Sequence, residues 1–150
     1  MEYRNKCKNK KYGFTLIELL VALSVGFIMV AVSLNSFNSY KSHNNLAVAV
    51  NGVVEAVRLA QSSSQSGKGD SRWGVEILTN KVIVFKGNTY AVRDTSFDQP
   101  LSFSSGISTS GTSEIVFEKI SGTTIGGTIT LTNDGEIKNL IVNAKGTVTY

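Results

Sequence analysis

The stretch KKYGFTLIELLVAL, residues 10–23, sets a carboxylate, Glu18, inside a run otherwise suited to hydrocarbon. Near the middle of a membrane helix a carboxylate costs about 2.5–3.5 kcal/mol on insertion scales, and less near an end. Two readings follow. Glu18 is either a tolerated polar residue roughly 6 Å from the membrane surface, at about 1.5 Å per residue from Phe14, or a charge awaiting a cation. The second reading needs a cation made after synthesis. A cut between Gly13 and Phe14 would supply one, a free amine at Phe14 one helical turn from Glu18. Gly13, lacking a side chain, suits a protease that must draw backbone into its site.

No other set of residues builds a reaction centre. His43 has no cysteine or carboxylate at ligand spacing and is read as a surface residue, so no metal is expected. SGKGDS carries a lysine between glycines without phosphate-loop spacing, and TNDGE lacks the alternating oxygen ligands of a calcium loop. Asp94 and Asp98 flank a loop with no base or nucleophile to pair them. Trp73 and Tyr90 are read as hairpin packing rather than a ligand shelf. The chain is expected to be no enzyme and to need no cofactor.

The elements that must position Glu18 begin with FTLIELLVALSVGFIMVAVSL, residues 14–34, in which Glu18 is the only charge. At about 1.5 Å per residue this run spans roughly 30 Å, a bilayer's hydrocarbon thickness. An ordinary secretory signal has an apolar core of only about 7–15 residues. The preceding lysines keep residues 1–13 in the cytoplasm, and everything after about 35 is exported. No proline interrupts the chain before Pro100, and Leu46, Val50, Val53, Val57 and Ala60 recur at helical spacing. One helix is therefore expected over 14–62, on the order of 73 Å long, with 14–34 spanning the membrane. The polar interval 35–45 contains no breaker, and a serine- and glycine-rich linker, 63–71, ends the helix.

From Arg72 to Tyr150 the sequence turns to strand formers, giving an α+β chain whose antiparallel β domain, 72–150, covers the helix stripe with one face. Strands are expected at 73–78, 81–86, 89–93, 101–103, 114–120, 128–132, 136–142 and 147–150. DTSFDQP (94–100) is expected as a loop, and 104–113 as a mobile one.

Charge is concentrated in the leader. Residues 1–13 hold Arg4, Lys6, Lys8, Lys10 and Lys11 against Glu2, which accounts for the whole net charge of +4. The remaining ten basic and ten acidic side chains cancel, so overall charge makes no case for nucleic-acid binding. Cys7, the single cysteine, cannot form a disulfide within the chain. It also precedes the apolar run, where a lipid-attachment cysteine would follow it, and is read as a reduced cytosolic thiol.

KKYGFTLIELL resembles the class III signal and mature start of type IV prepilins and type II secretion pseudopilins: a short basic leader, a glycine, an aromatic residue, and glutamate at the fifth mature position. The resemblance implies cleavage after Gly13 by prepilin peptidase and methylation of the new amine on Phe14. It also implies that mature helices gather into a filament core, with Glu18 pairing to the terminal amine of a neighbouring subunit. The implied partners are prepilin peptidase, other pilins or pseudopilins, an inner-membrane assembly platform, and membrane lipid before assembly.

Two departures bear on the kind of subunit. Major pilins commonly carry a proline about twenty residues into the mature helix, whereas here Gly26 is the only soft point. They also often close a C-terminal loop with a disulfide. Both departures point toward a minor or secretion-type component. SRWGVEI and the closing GEIKNLIVNAKGTVTY resemble, less specifically, the GspH/FimT group of minor pseudopilins. Some relatives there bind DNA through an arginine-bearing motif at the final glycine. This chain reads Lys145-Gly146-Thr147, so DNA is not expected as a partner, and Lys138, Lys145 and Tyr150 are read as solvated surface. The alternatives are a minor pilin of a DNA-uptake or adhesive pilus, and a single-span anchored β domain that never polymerises.

Overall fold

The computed structural model describes residues 13–150, with backbone alone for 32–40 and 42. The leader residues 1–12, including Cys7, lie outside the described residues. Two compact units divide the chain, one ending at Asn38 and the other covering Ser39–Tyr150. A single helix, α1 (Leu16–Gln65), contributes to both.

In the first unit α1 opens with a cap. Thr15 is non-helical, and its hydroxyl accepts the Glu18 N–H at 3.3 Å, satisfying one of the donors a helix leaves free at its start. The sequence Thr15-Leu16-Ile17-Glu18 has capping-box spacing, a signal for the start at 16 that the apolar run alone does not carry. Every residue from 13 to 31 is exposed.

In the second unit the predicted stripe is the buried face of α1. Leu46, Val53, Val57 and Ala60 are fully buried, and Val50 nearly so. Ala49, Ala56 and Gly52 lie among them. At Gly52 an added Cβ would stand 3.2 Å from the Phe103 ring.

The helix runs three residues past the expected end. Serines 62–64 do not break it, because Ser63 and Ser64 are buried and Ser64 Oγ donates to the Phe117 carbonyl at 2.9 Å. Termination comes at Gly67, whose left-handed φ of 65° turns the chain into a short 3-10 turn, Lys68–Asp70.

The β domain consists of two four-stranded antiparallel sheets. The first is ordered β3 (Asp94–Ser102), β2 (Lys81–Lys86), β1 (Trp73–Leu78), β5 (Glu114–Phe117). The second is ordered β4 (Ser108–Gly111), β6 (Gly127–Asn133), β7 (Glu136–Val142), β8 (Val148–Thr149). Their inner residues, among them Trp73, Val75, Phe117, Leu131 and Leu140, form one buried cluster with the α1 face.

Two stretches exchange roles relative to expectation. Residues 89–93, which read as a strand, hold a 3-10 turn at Tyr90–Val92, while the expected loop 94–100 is most of β3. The cause is a local anchor. Arg93 Nε donates to both Asp98 carboxylate oxygens at 3.0 and 2.9 Å, and its Nη1 to the Tyr90 carbonyl at 2.8 Å. β3 is an edge strand, which is where Pro100 can be accommodated. The loop expected at 104–113 likewise contains β4, and the strand expected over 114–120 ends at Phe117.

On the outer face of the first sheet Gly74 lies opposite Phe85, which is fully buried without a place in the main core cluster. An added Cβ at Gly74 would fall 2.7 Å from Phe85 Cζ and 2.8 Å from the Ile115 carbonyl oxygen. Gly74→Ala should therefore lower stability by about 1–3 kcal/mol, by displacing a ring that has nowhere to retreat. Urea unfolding should show an earlier midpoint with an unchanged slope.

Candidate functional site

The residues singled out by their spacing lie together at the start of α1. Gly13, Phe14 and Thr15 are non-helical, so the Gly13–Phe14 peptide bond is in an exposed, unstructured approach to the helix. An added Cβ at Gly13 would meet nothing within 4 Å, and Phe14 is 84% exposed. A protease reads its substrate as backbone free of helix, and this bond lies in a non-helical, exposed stretch just before the cap. Thr15 then fixes where the helix begins.

Glu18 occupies the first turn of α1. There the free N–H groups of the helix terminus carry partial positive charge that favours a carboxylate. This moderates the penalty of an acidic residue in an apolar segment without neutralising it. Among the described residues no ion pair reaches Glu18. Phe14, Leu16, Ile17, Leu19, Leu20, Val21 and Leu23 surround it, each more than half exposed. An apolar surface of this extent on a single helix is a contact surface for lipid or for other helices. Among the described residues no helix is long and apolar enough to cross a membrane. The fully described part of the run is Leu16–Ala31, and the sequence stays apolar to Leu34.

Gly26, noted as the soft point of the run, is helical, with open space around it. His43 is an exposed residue, as expected, and its Nδ1 lies 2.9 and 3.0 Å from the two carboxylate oxygens of Glu136. Ninety-three residues separate the two, so no local spacing could have shown the pair. Asp98 is held by Arg93 and Asp94 faces Lys86 at 3.9 Å, which makes both structural. Trp73 is fully buried, with its indole N–H donated to the Lys68 carbonyl at 2.8 Å. Tyr90 packs edge-on against Phe85 beneath the Arg93 guanidinium. Lys138 and Tyr150 do share a shallow groove of about 170 Å³ with His43, but Lys145 is not part of it. Among the described residues no cluster of metal-ligating side chains occurs.

One electrostatic feature was not legible from the sequence. Glu76 and Glu114 are direct cross-strand partners on the outer face of the first sheet. Burial pushes the Glu76 carboxyl upward, the Glu114 charge adds to this, and Arg93 opposes it. Asp70 moves the other way, held below the usual carboxylate range by its hydrogen bond and charge pairing with Lys119.

Comparison with known proteins bears on both parts of the chain. Residues 8–34 match the family described as the prokaryotic N-terminal methylation motif. The fold is similar to that of the minor pseudopilin EpsH from the type 2 secretion system of Vibrio cholerae, at 12% sequence identity and a TM-score of 0.53. That similarity covers 70% of this chain and 94% of the other. No curated protein matches the sequence. The motif and the fold agree on a pilin-like α+β chain with a prepilin-type start.

Two measurements check this electrostatic and capping account. Thr15→Val should remove the cap and fray the first turn by about 1 kcal/mol, seen as faster amide exchange at Glu18 in detergent micelles. A raised carboxyl pKa penalises the folded state as pH climbs from the unfolded value of 4.5 through the folded one. Glu76→Gln should therefore stabilise the protein at neutral pH, with the gain vanishing below the unfolded value, in urea titrations at a series of pH values.

Proposed function

We propose that this chain is a minor pseudopilin, a structural subunit of a type II secretion filament. The observation that carries the reading is a methylation motif over residues 8–34 joined to a fold shared with a minor pseudopilin. In this reading residues 1–13 are a cytoplasmic leader, and 14–34 hold the chain once across the inner membrane with the β domain exported. Prepilin peptidase cuts after Gly13, and the amine of Phe14 is methylated. The trimmed helix then leaves lipid for a filament of other pilins or pseudopilins, fed by an inner-membrane platform. The chain acts by packing and charge pairing, with no catalysis of its own.

The physical sequence is simple. In lipid the apolar surface of α1 is satisfied everywhere except at Glu18. A neighbouring subunit bringing its cleaved amino terminus supplies the missing cation, and the buried pair is acceptable because both charges arrive together. A subunit in the wrong register leaves the carboxylate unpaired in an apolar surrounding, which costs several kcal/mol. Glu18 therefore selects register, while the apolar surface supplies adhesion.

Mass spectrometry of the chain from cells with and without prepilin peptidase tests the processing step. The expected product begins at Phe14 and carries one methyl group only when the peptidase is present; a chain still beginning at Met1 beside active peptidase overturns the reading. Glu18→Ala should be processed and membrane-inserted normally yet be missing from sheared filaments. Normal incorporation of that variant would reduce Glu18 to a tolerated polar residue.

A further inference from the structure

The phase of the first sheet's hydrogen bonds shows which backbone groups of β5 have no partner. Ile77 donates its N–H to the Ser113 carbonyl at 2.7 Å, so Trp73, Val75 and Ile77 present their backbone groups toward β5. Arg72 accepts the Gly87 N–H at 3.0 Å, which places the alternate residues, Gly74 and Glu76, toward β2. By pairing register, Ile115 and Phe117 bond to β1, and the N–H and C=O of Glu114 and Val116 point away from the sheet. Glu118 fits the same alternation, since its outward N–H is donated to the Thr123 carbonyl at 2.8 Å. Among the described residues, no loop hydrogen bond reaches the outward groups of Glu114 or Val116.

These groups line a cleft of about 510 Å³ whose opposite wall is Thr124, Ile125 and Gly126. The walls meet where Glu118 bonds Thr123 and diverge from there. The far wall cannot swing across to cover the edge. Thr124 donates its N–H to the Ala144 carbonyl at 3.1 Å, Gly126 donates to Thr124 Oγ1 at 3.3 Å, and Gly127 is already paired with Val142. Ile125 is fully exposed at the lip of this cleft.

Side chains define what would fit. Because Glu76 and Glu114 form a non-hydrogen-bonded pair, their carboxylates lie on one face at the closer of the two cross-strand spacings. Neither has an ion-pair partner among the described residues, although Glu114 Oε1 accepts the Tyr90 N–H at 3.1 Å. One row further along, Gly74 and Val116 present an apolar position. A residue added beside Glu114 therefore meets that carboxylate, with Glu76 one strand further in, and one added beside Val116 meets an apolar wall and Ile125.

We infer that the open edge of β5 is a strand-addition site: it takes an extended segment of another protein that places a basic side chain beside Glu114 and an apolar one between Val116 and Ile125. The backbone groups of Glu114 and Val116 supply the hydrogen bonds, and the carboxylate pair sets the preference for a cation. In the filament reading the segment belongs to a neighbouring subunit, and the inference rests on that reading only for the source of the strand. The binding edge itself requires neither cleavage nor Glu18.

The test uses the full chain in detergent micelles and short overlapping peptides covering the exported domains of the other pilin-type subunits of the same cell. Peptides carrying a basic and an apolar residue two positions apart should bind, and the Glu114 and Val116 amides should become protected from hydrogen exchange. Val116→Pro removes an outward N–H and the valine side chain but no β1–β5 hydrogen bond, so it should leave that ladder paired while weakening binding about tenfold or more. Glu114→Gln keeps an acceptor for the Tyr90 N–H and should remove most of the salt dependence of binding. The same measurements on Glu18→Ala should be unchanged, so loss of filament incorporation in that variant leaves the edge result readable. Protection elsewhere with Glu114 and Val116 still exchanging, no binding by any peptide, or self-association through the edge without peptide binding would each overturn the inference.

Discussion

An apolar helical run whose fully described residues are all exposed is the constraint on which the rest depends. Residues 14–31 of this protein are exposed in their own unit, and burial of such side chains stabilises by about 25 cal/mol per Å². The sheets of the second unit are filled by the stripe from Leu46 to Ala60 and by one another. The first part of α1 is therefore built for a surrounding outside the chain, whether lipid or other helices. Glu18 makes the two surroundings unequal. Lipid offers its carboxylate nothing, while in the filament reading proposed above a neighbouring helix would bring an amine. A preference between environments is thus written into one charged residue among apolar ones.

The second part of α1 obeys the opposite rule. Its buried face is rich in Ala and Val, with Gly52 against the Phe103 ring. The boundary residues are tied from outside the helix. Gln61 donates to the carbonyls of Gly122 and Lys145 at 3.1 and 2.7 Å, and Ser64 to that of Phe117 at 2.9 Å. These bonds satisfy loop and strand carbonyls with helix side chains. That explains why a run of serines, which usually signals a helix end, here continues one.

What was legible in the sequence followed periodicity and composition. The stripe Leu46, Val50, Val53, Val57 and Ala60 is the buried face, the α+β class holds, and strands 73–78, 81–86 and 136–142 have the expected bounds. What was illegible rests on partners distant in sequence or on one strong local contact. Residues 89–93 alternate like a strand, but Arg93 gripping Asp98 and the Tyr90 carbonyl turns them into a 3-10 segment. The split into two sheets depends on β1 pairing with β5 across nearly forty residues, which no turn signal announces. His43 finds Glu136 for the same reason. The start of α1 is a different case, because the capping spacing from Thr15 to Glu18 was present in the letters. It lay hidden in a motif already claimed by the apolar run and by Glu18.

Two kinds of unsatisfied surface therefore coexist in one chain, and they differ in what they can specify. The apolar face of α1 is non-directional: it gains free energy from any apolar neighbour, and alone it would allow sliding along the helix axis. In the proposed filament, Glu18 would narrow this to registers that bring a cation within reach. The open edge of β5 is directional from the outset, because backbone N–H and C=O groups accept partners only at strand spacing and in line. A subunit that relied on adhesion alone would associate with many neighbours in many positions. Pairing each adhesive surface with a polar group that penalises misplacement converts adhesion into position, and the proposed filament role would need that conversion more than affinity.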